Sequence, residues 1–279
     1  MADPSSRRRL LITSVLMSVG VLIAAGVGVE ASGPARADSD FTPPHDCGNW
    51  NDSGPRLDLW KDIKDASPQN PKPGVFIFVN DSWALKNGNY PGEKYKYNLL
   101  AIPRARVTGV ECADIWGPKA FNLWKPAWDD AINRFKGSVD VSHVMLGVNS
   151  KPGRQQDQLH IHLTSFQQQA RRELDALKGI SADVSKWSTS MYTVMGHVYR
   201  IVRVNDLDAN VFKLVKDNIS QNDMFEQSIA VVAGPGGKGF YILNTQGQPK
   251  LPGEPQHNPQ LHVGGAWGTE SIEDLIYRG

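Results

Sequence analysis

Apolar and polar positions divide this chain into short blocks with two different periods. GVFIFVN (Gly74–Asn80) is an apolar run between turn residues, which predicts a buried strand. YKYNLLAIP (Tyr95–Pro103) alternates and then turns apolar, a second strand that Pro103 ends. DVSHVMLGVNS (Asp140–Ser150) and QLHIHLTS (Gln158–Ser165) read as a third and a fourth. MYTVMGHVYRIVRV (Met191–Val204) reads as one longer strand, bent at Gly196. QSIAVVAG and GFYILNT form a hairpin through PGGK.

Helical spacing appears elsewhere. Between Ala120 and Phe135 apolar residues recur at Leu123, Trp124, Ala127, Trp128, Ala131, Ile132 and Phe135, with Pro126 in the first turn. Helices are also expected around Leu57–Asp65, over Gln167–Leu177, over Asp206–Ile219 with aspartates as caps, and over Glu270–Tyr277. Gln246–Gly268 reads as loop, rich in Pro and Gln. Strands and helices intermix without strict βαβ alternation. The expected class is therefore α+β, an antiparallel or mixed sheet with helices on one face.

Residues 1–37 are set apart from residues 38–279, which form the folded domain. Arg7-Arg8-Arg9 precedes an uncharged apolar run, Leu10 to Val29, and Ala35-Arg36-Ala37 fits a small-x-small cleavage site. The arginines also resemble a twin-arginine export signal. Twenty residues fit either a signal peptide or a membrane anchor, and both place the body outside the cytoplasm. The protein is expected to be exported and membrane-associated on the extracytoplasmic side, or secreted if the segment is cleaved. Cys47 and Cys112 are the only cysteines, so an oxidising compartment allows one disulfide.

Composition is ordinary for a globular chain, 40% hydrophobic and 21% charged, which argues against disorder. A net charge of +1 argues against a nucleic-acid partner.

The chemistry concentrates in NSKPGRQQDQLHIHLTS (Asn149–Ser165). On a strand, Leu159, Ile161 and Leu163 face one side and Gln158, His160, His162 and Thr164 the other. The preceding loop offers Ser150, Lys151, Arg154, Gln155 and Gln156 around Gly153, a composition suited to an anion. Three readings fit. A metal site would need a third ligand, and no HxxxH or CxxC motif supplies one, nor does an acidic residue follow at short spacing, the next being Glu173. Two-histidine phosphodiester chemistry would need a second HxT/S, which none of the other histidines provides. A nucleophilic imidazole beside a phosphate-cradling loop needs neither, and a backbone carbonyl on its other ring nitrogen would fix its tautomer. Two strand histidines without a role are the bland alternative. His45, His257 and His262 read as surface residues and His143 as strand packing.

VNSKPGRQQDQLHIHLTS resembles the active-site stretch of the histidine triad superfamily. It is most similar to the branch of bacterial CDP-diacylglycerol pyrophosphatases. YNLLAIPRARVTGVE, FNLWKPAWDDAI and GHVYRIVRV match that branch in order. The resemblance implies a histidine-triad-like fold and hydrolysis of CDP-diacylglycerol to CMP and phosphatidate at a membrane surface, without metal or cofactor. His160 takes the place of the nucleophile and His162 that of a phosphate-contacting histidine. Gln158 stands where the family has its first histidine, a departure, and is expected to bond a phosphate oxygen or a ring N–H. His197 and Tyr199 match the branch's Gly-His-x-Tyr strand and imply substrate contacts. Asn149 matches an Asn before the loop, and Ser150, Lys151, Arg154 and Gln156 complete the expected phosphate site. A hydrolase or transferase of another nucleotide pyrophosphate ester, or a non-catalytic nucleotide- or lipid-binding protein, remains compatible with the same residues. Oligomeric state is not legible in this sequence.

Overall fold

A computed structural model describes residues 47–88, 97–219, 221–247, 262–263 and 266–278. The N-terminal segment, His45 and His257 lie outside them.

The fold is α+β, and its framework is one sheet of nine strands. These are β1 (Phe78–Val79), β2 (Trp83–Asn87), β3 (Asn98–Pro103), β4 (Val144–Val148), β5 (Ile161–Ser165), β6 (Met191–Val194), β7 (His197–Val204), β8 (Gln227–Ala233) and β9 (Phe240–Gln246). Their order is β1-β2-β3-β5-β4-β8-β9-β7-β6, and every pairing is antiparallel. Among the described residues a separate two-stranded pairing joins β10 (His262–Val263) to β11 (Ala266–Trp267), inside the stretch expected to be loop.

Strand parity sorts the side chains onto two faces. On one face Val144, Leu146, Ile161, Leu163, Val231 and Ile242 pack under α2 (Trp124–Phe135) and α4 (Val211–Asn218). The opposite face carries two apolar clusters. Ala84, Leu100 and Ile102 pack with α1 (Asp58–Ile63) through Trp60 and Ile63. Met145, Ala230, Val232 and Leu243 pack with α3 (Gln168–Ala176) and with Ile272, Leu275 and Ile276 of the C-terminal segment. Helices therefore cover both faces, because α3 is amphipathic and fills the side that α2 and α4 leave open.

Several elements differ from expectation for local reasons. Only Phe78–Val79 of the first run is strand, and the sequence pattern missed β2 because Lys86 and Asn87 mask its apolar start. Met191–Val204 is a hairpin. Met195 and Gly196 both have positive φ, which turns the chain back in two residues. The first part of Asp140–Ser150 is a 3-10 turn over Val141–His143, and His143 Nδ1 lies 3.0 Å from Ser142 Oγ. Asn210, rather than an aspartate, caps α4 by accepting from Phe212 N at 3.0 Å. The last expected helix is a single 3-10 turn, Glu273–Leu275. Instead of propagating, its flanks tie back to the sheet. Gln167 N donates to Leu275 O and Tyr277 N to Ser165 O.

Cys47 and Cys112 form a disulfide. It anchors the segment after β3, which returns along the start of β5.

Candidate active site

Between the two apolar clusters of the second face lies a polar gap, and His162 of β5 and His160, the residue just before that strand, occupy it. Ile161 and Leu163 are fully buried in the opposite layer, so their neighbours His160 and His162 must point into the gap. Leu100 of β3 and Gly147 of β4 flank His162. The two rings lie 5.0 Å apart, centroid to centroid.

Each ring is held at Nδ1. His160 Nδ1 lies 2.8 Å from the carbonyl oxygen of Gln158. A carbonyl only accepts, so in the neutral ring Nδ1 carries the proton and Nε2 the lone pair. His162 Nδ1 lies 3.1 Å from Asn98 Oδ1 in β3, which sets the same tautomer. Neither Nε2 has a partner among the described residues. Burial lowers the His160 pKa below its ordinary value, and the nearby Arg154 charge adds to that. Burial, with His160 beside it, lowers His162 to about 3. Both rings are therefore neutral at pH 7.

A small cleft opens beside His160, lined by Gly109, Val148, Asn149, Arg154, Gln158 and Leu159. Asn149 is buried, and its Oδ1 accepts from Ile272 N at 2.9 Å. That bond fixes the amide and leaves Nδ2 without a partner among the described residues. Arg154 is buried in a bidentate ion pair with Glu111, at 2.7 Å for both bonds.

Other expected ligands are committed to the fold. The Gln158 side chain is fully buried. Its Nε2 donates to Pro103 O at 3.0 Å and Ala105 O at 2.9 Å, and its Oε1 accepts from Val107 N at 3.4 Å. The ring N–H of His160 is met by the Gln158 main chain, not by its amide. Ser150 Oγ donates to Glu270 O at 2.8 Å, and Ser150 N donates to Ser228 Oγ at 2.9 Å. Gln156 Oε1 accepts from Leu59 N at 3.1 Å at the start of α1. Lys151 is solvent-exposed.

His197 and Tyr199 do not reach the cleft. They share the histidine face, but β7 lies four strand spacings from β5, about 19 Å at ~4.8 Å each. His197 Nε2 is 2.9 Å from Asp274 Oδ2. The Tyr199 ring is buried in the apolar cluster, where burial pushes its hydroxyl up. Sequence reasoning missed Asn98 and Glu111. Both act across long loops, 64 residues from His162 and 43 from Arg154. An Asn inside the apolar run of β3 was the one available signal.

The chain is of the α+β class and presents a paired-histidine cleft on an antiparallel sheet. The family model for CDP-diacylglycerol pyrophosphatase matches residues 64–261, and the chain belongs to that family. It is 26% identical over 202 residues to a CDP-diacylglycerol pyrophosphatase of Yersinia pestis, covering 67% of this chain and 75% of the relative. It is also 26% identical over 242 residues to a probable CDP-diacylglycerol pyrophosphatase of Mycobacterium leprae (strain TN), covering 81% and 82%.

Proposed function

We propose that this chain is a CDP-diacylglycerol hydrolase that works through a nucleotidyl-histidine. The observation that carries the reading is the His160 ring, neutral, held at Nδ1 and unpartnered at Nε2, beside a cleft with an amide and a guanidinium. The Nε2 lone pair attacks the phosphorus attached to cytidine. The bridging P–O bond breaks, and its oxygen leaves with phosphatidate. Water then attacks the same phosphorus, CMP departs with the new oxygen, and the electron pair returns to Nε2. The Gln158 carbonyl keeps the Nδ1 proton throughout and stabilises the positive charge the ring acquires. Asn149 Nδ2 and Arg154 are placed to meet phosphate oxygens. His162 presents its Nε2 lone pair to the cleft, suited to accept a hydrogen bond from the hydrolytic water and orient it. An incoming phosphate anion opposes the desolvation that keeps this ring neutral.

The histidine pair facing a cleft from one strand supports a histidine-triad-like fold. The basic-then-apolar N-terminus and the Cys47–Cys112 disulfide support export and a membrane-associated site of action, where the lipid substrate resides.

Mass spectrometry after brief mixing with CDP-diacylglycerol tests the mechanism. A CMP adduct on His160 is expected. Steady CMP release with no adduct on any histidine would sink the covalent route.

A further inference from the structure

Among the described residues Arg154 is the only cation lining the cleft, and it does not stand free. Glu111 grips both terminal nitrogens, and the two side chains are each 4% exposed. Nε donates to Asp157 Oδ1 at 3.0 Å, and Nη2 lies 3.0 Å from the same oxygen. Among the described residues Nη1 has no partner but Glu111, so it keeps one N–H. That nitrogen lies against Gly109, which also lines the cleft. A Cβ at Gly109 would sit 1.9 Å from Arg154 Nη1 and 2.8 Å from Glu111 Oε2. The glycine is therefore required by the close approach of this ion pair, and not by a turn. Burial alone would push the Glu111 carboxyl up, but the paired guanidinium outweighs it and holds the group ionised. The next residue, Cys112, is fixed to Cys47. Glu111 is thus a carboxylate locked in place by a disulfide on one side and an arginine on the other.

We propose that Glu111 is a positioning residue that aims Arg154 across Gly109 at the phosphates of the substrate. This rests on the nucleotide-pyrophosphate reading of the cleft. A buried ion pair contributes little net stability compared with an apolar pair of similar size. Its retention at the edge of the cleft is explained by the direction it gives the remaining N–H. Without Glu111 the guanidinium would be held by Asp157 alone, through Nε and Nη2, and could turn toward that carboxylate and lose that direction.

The test compares Glu111→Gln, Arg154→Met, the double variant of these two, and the apolar pair Glu111→Leu with Arg154→Met. Calorimetric titration with CDP reads phosphate binding without turnover, and CMP release from CDP-diacylglycerol reads KM and kcat. Glu111→Gln is expected to weaken CDP binding and raise KM about ten- to hundredfold, the range of a charge-assisted contact. Adding Glu111→Gln to Arg154→Met should cost nothing more, because Glu111 acts only through the arginine. The apolar pair should fold yet bind CDP as weakly as Arg154→Met. It carries the decision if Glu111→Gln fails to fold. Wild-type CDP affinity in the apolar pair, or additive losses in the double variant, would overturn the proposal. Wild-type protein that binds CDP but releases no CMP would instead overturn the hydrolase reading and leave the positioning role standing.

Discussion

β5 and β7 both carry histidines on the same face of the same sheet, yet they offer different chemistry. His160 and His162 hold a backbone carbonyl and an amide oxygen at Nδ1 and present Nε2 without a partner. His197 spends its Nε2 on Asp274, a half-exposed carboxylate. Burial among neutral acceptors keeps an imidazole uncharged and nucleophilic. A surface carboxylate at the same nitrogen occupies the atom that would react. Strand parity decides which way a histidine points, and its Nδ1 and Nε2 partners decide what it can do.

Removing the proposed nucleophile should break this comparison most sharply. His160→Ala is expected to lower CMP release by at least about a thousandfold with the melting temperature nearly unchanged, a loss typical of a missing covalent nucleophile. Retained turnover in a folded His160→Ala protein would refute the assignment. Next in size is the ring's support. Asn98→Leu frees His162 Nδ1 and leaves an unpaired ring in a half-buried gap. Steady-state assays should show kcat reduced by about ten- to hundredfold, on the scale of losing one oriented hydrogen bond.

The pH profile gives a smaller, graded test. The folded pKa of His160 is depressed and His162 falls to about 3, below the ordinary ~6.5 of an unfolded histidine. The acid limb of kcat/KM should therefore lie below pH 6.5. Between about 6.5 and 3 the unfolded chain binds more protons than the folded one, so stability should fall on acidification across that window. Thermal melts of wild type and His162→Gln, compared from pH 7 to 4, read that dependence. The variant should lose less. The smallest effect belongs to β7. His197→Ala should leave kcat/KM within about threefold and stability within about 1 kcal/mol, as for other exposed ion pairs. A hundredfold loss there would erase the distinction between the two strands.

The antiparallel α+β framework was legible because apolar alternation and turn residues are local signals. So was the orientation of His160 and His162, since Ile161 and Leu163 between and beside them had to be buried. The break at Met195 and Gly196 was visible only as a bend, because a non-glycine residue with positive φ leaves no clear mark. The partners of the site were not legible. Asn149 meets Ile272 across 123 residues and Arg154 meets Glu111 across 43, distances at which a lone sequence carries no pairing information. Ser150, Gln156 and Gln158 looked like substrate donors for the same reason. A loop rich in donors reads alike whether it waits for phosphate or satisfies the protein's own carbonyls.

The clamp around Gln158 bears on any attempt to place a third histidine in this cleft. Its amide delivers two N–H groups to two carbonyls in a slot with no solvent access. A neutral imidazole brings one N–H and would strand the other carbonyl. A charged imidazole could serve both, at the cost of a cation buried two residues from the attacking ring. Gln158→His is thus a lock changed for a poorer key, and the variant should be a slower and less stable enzyme.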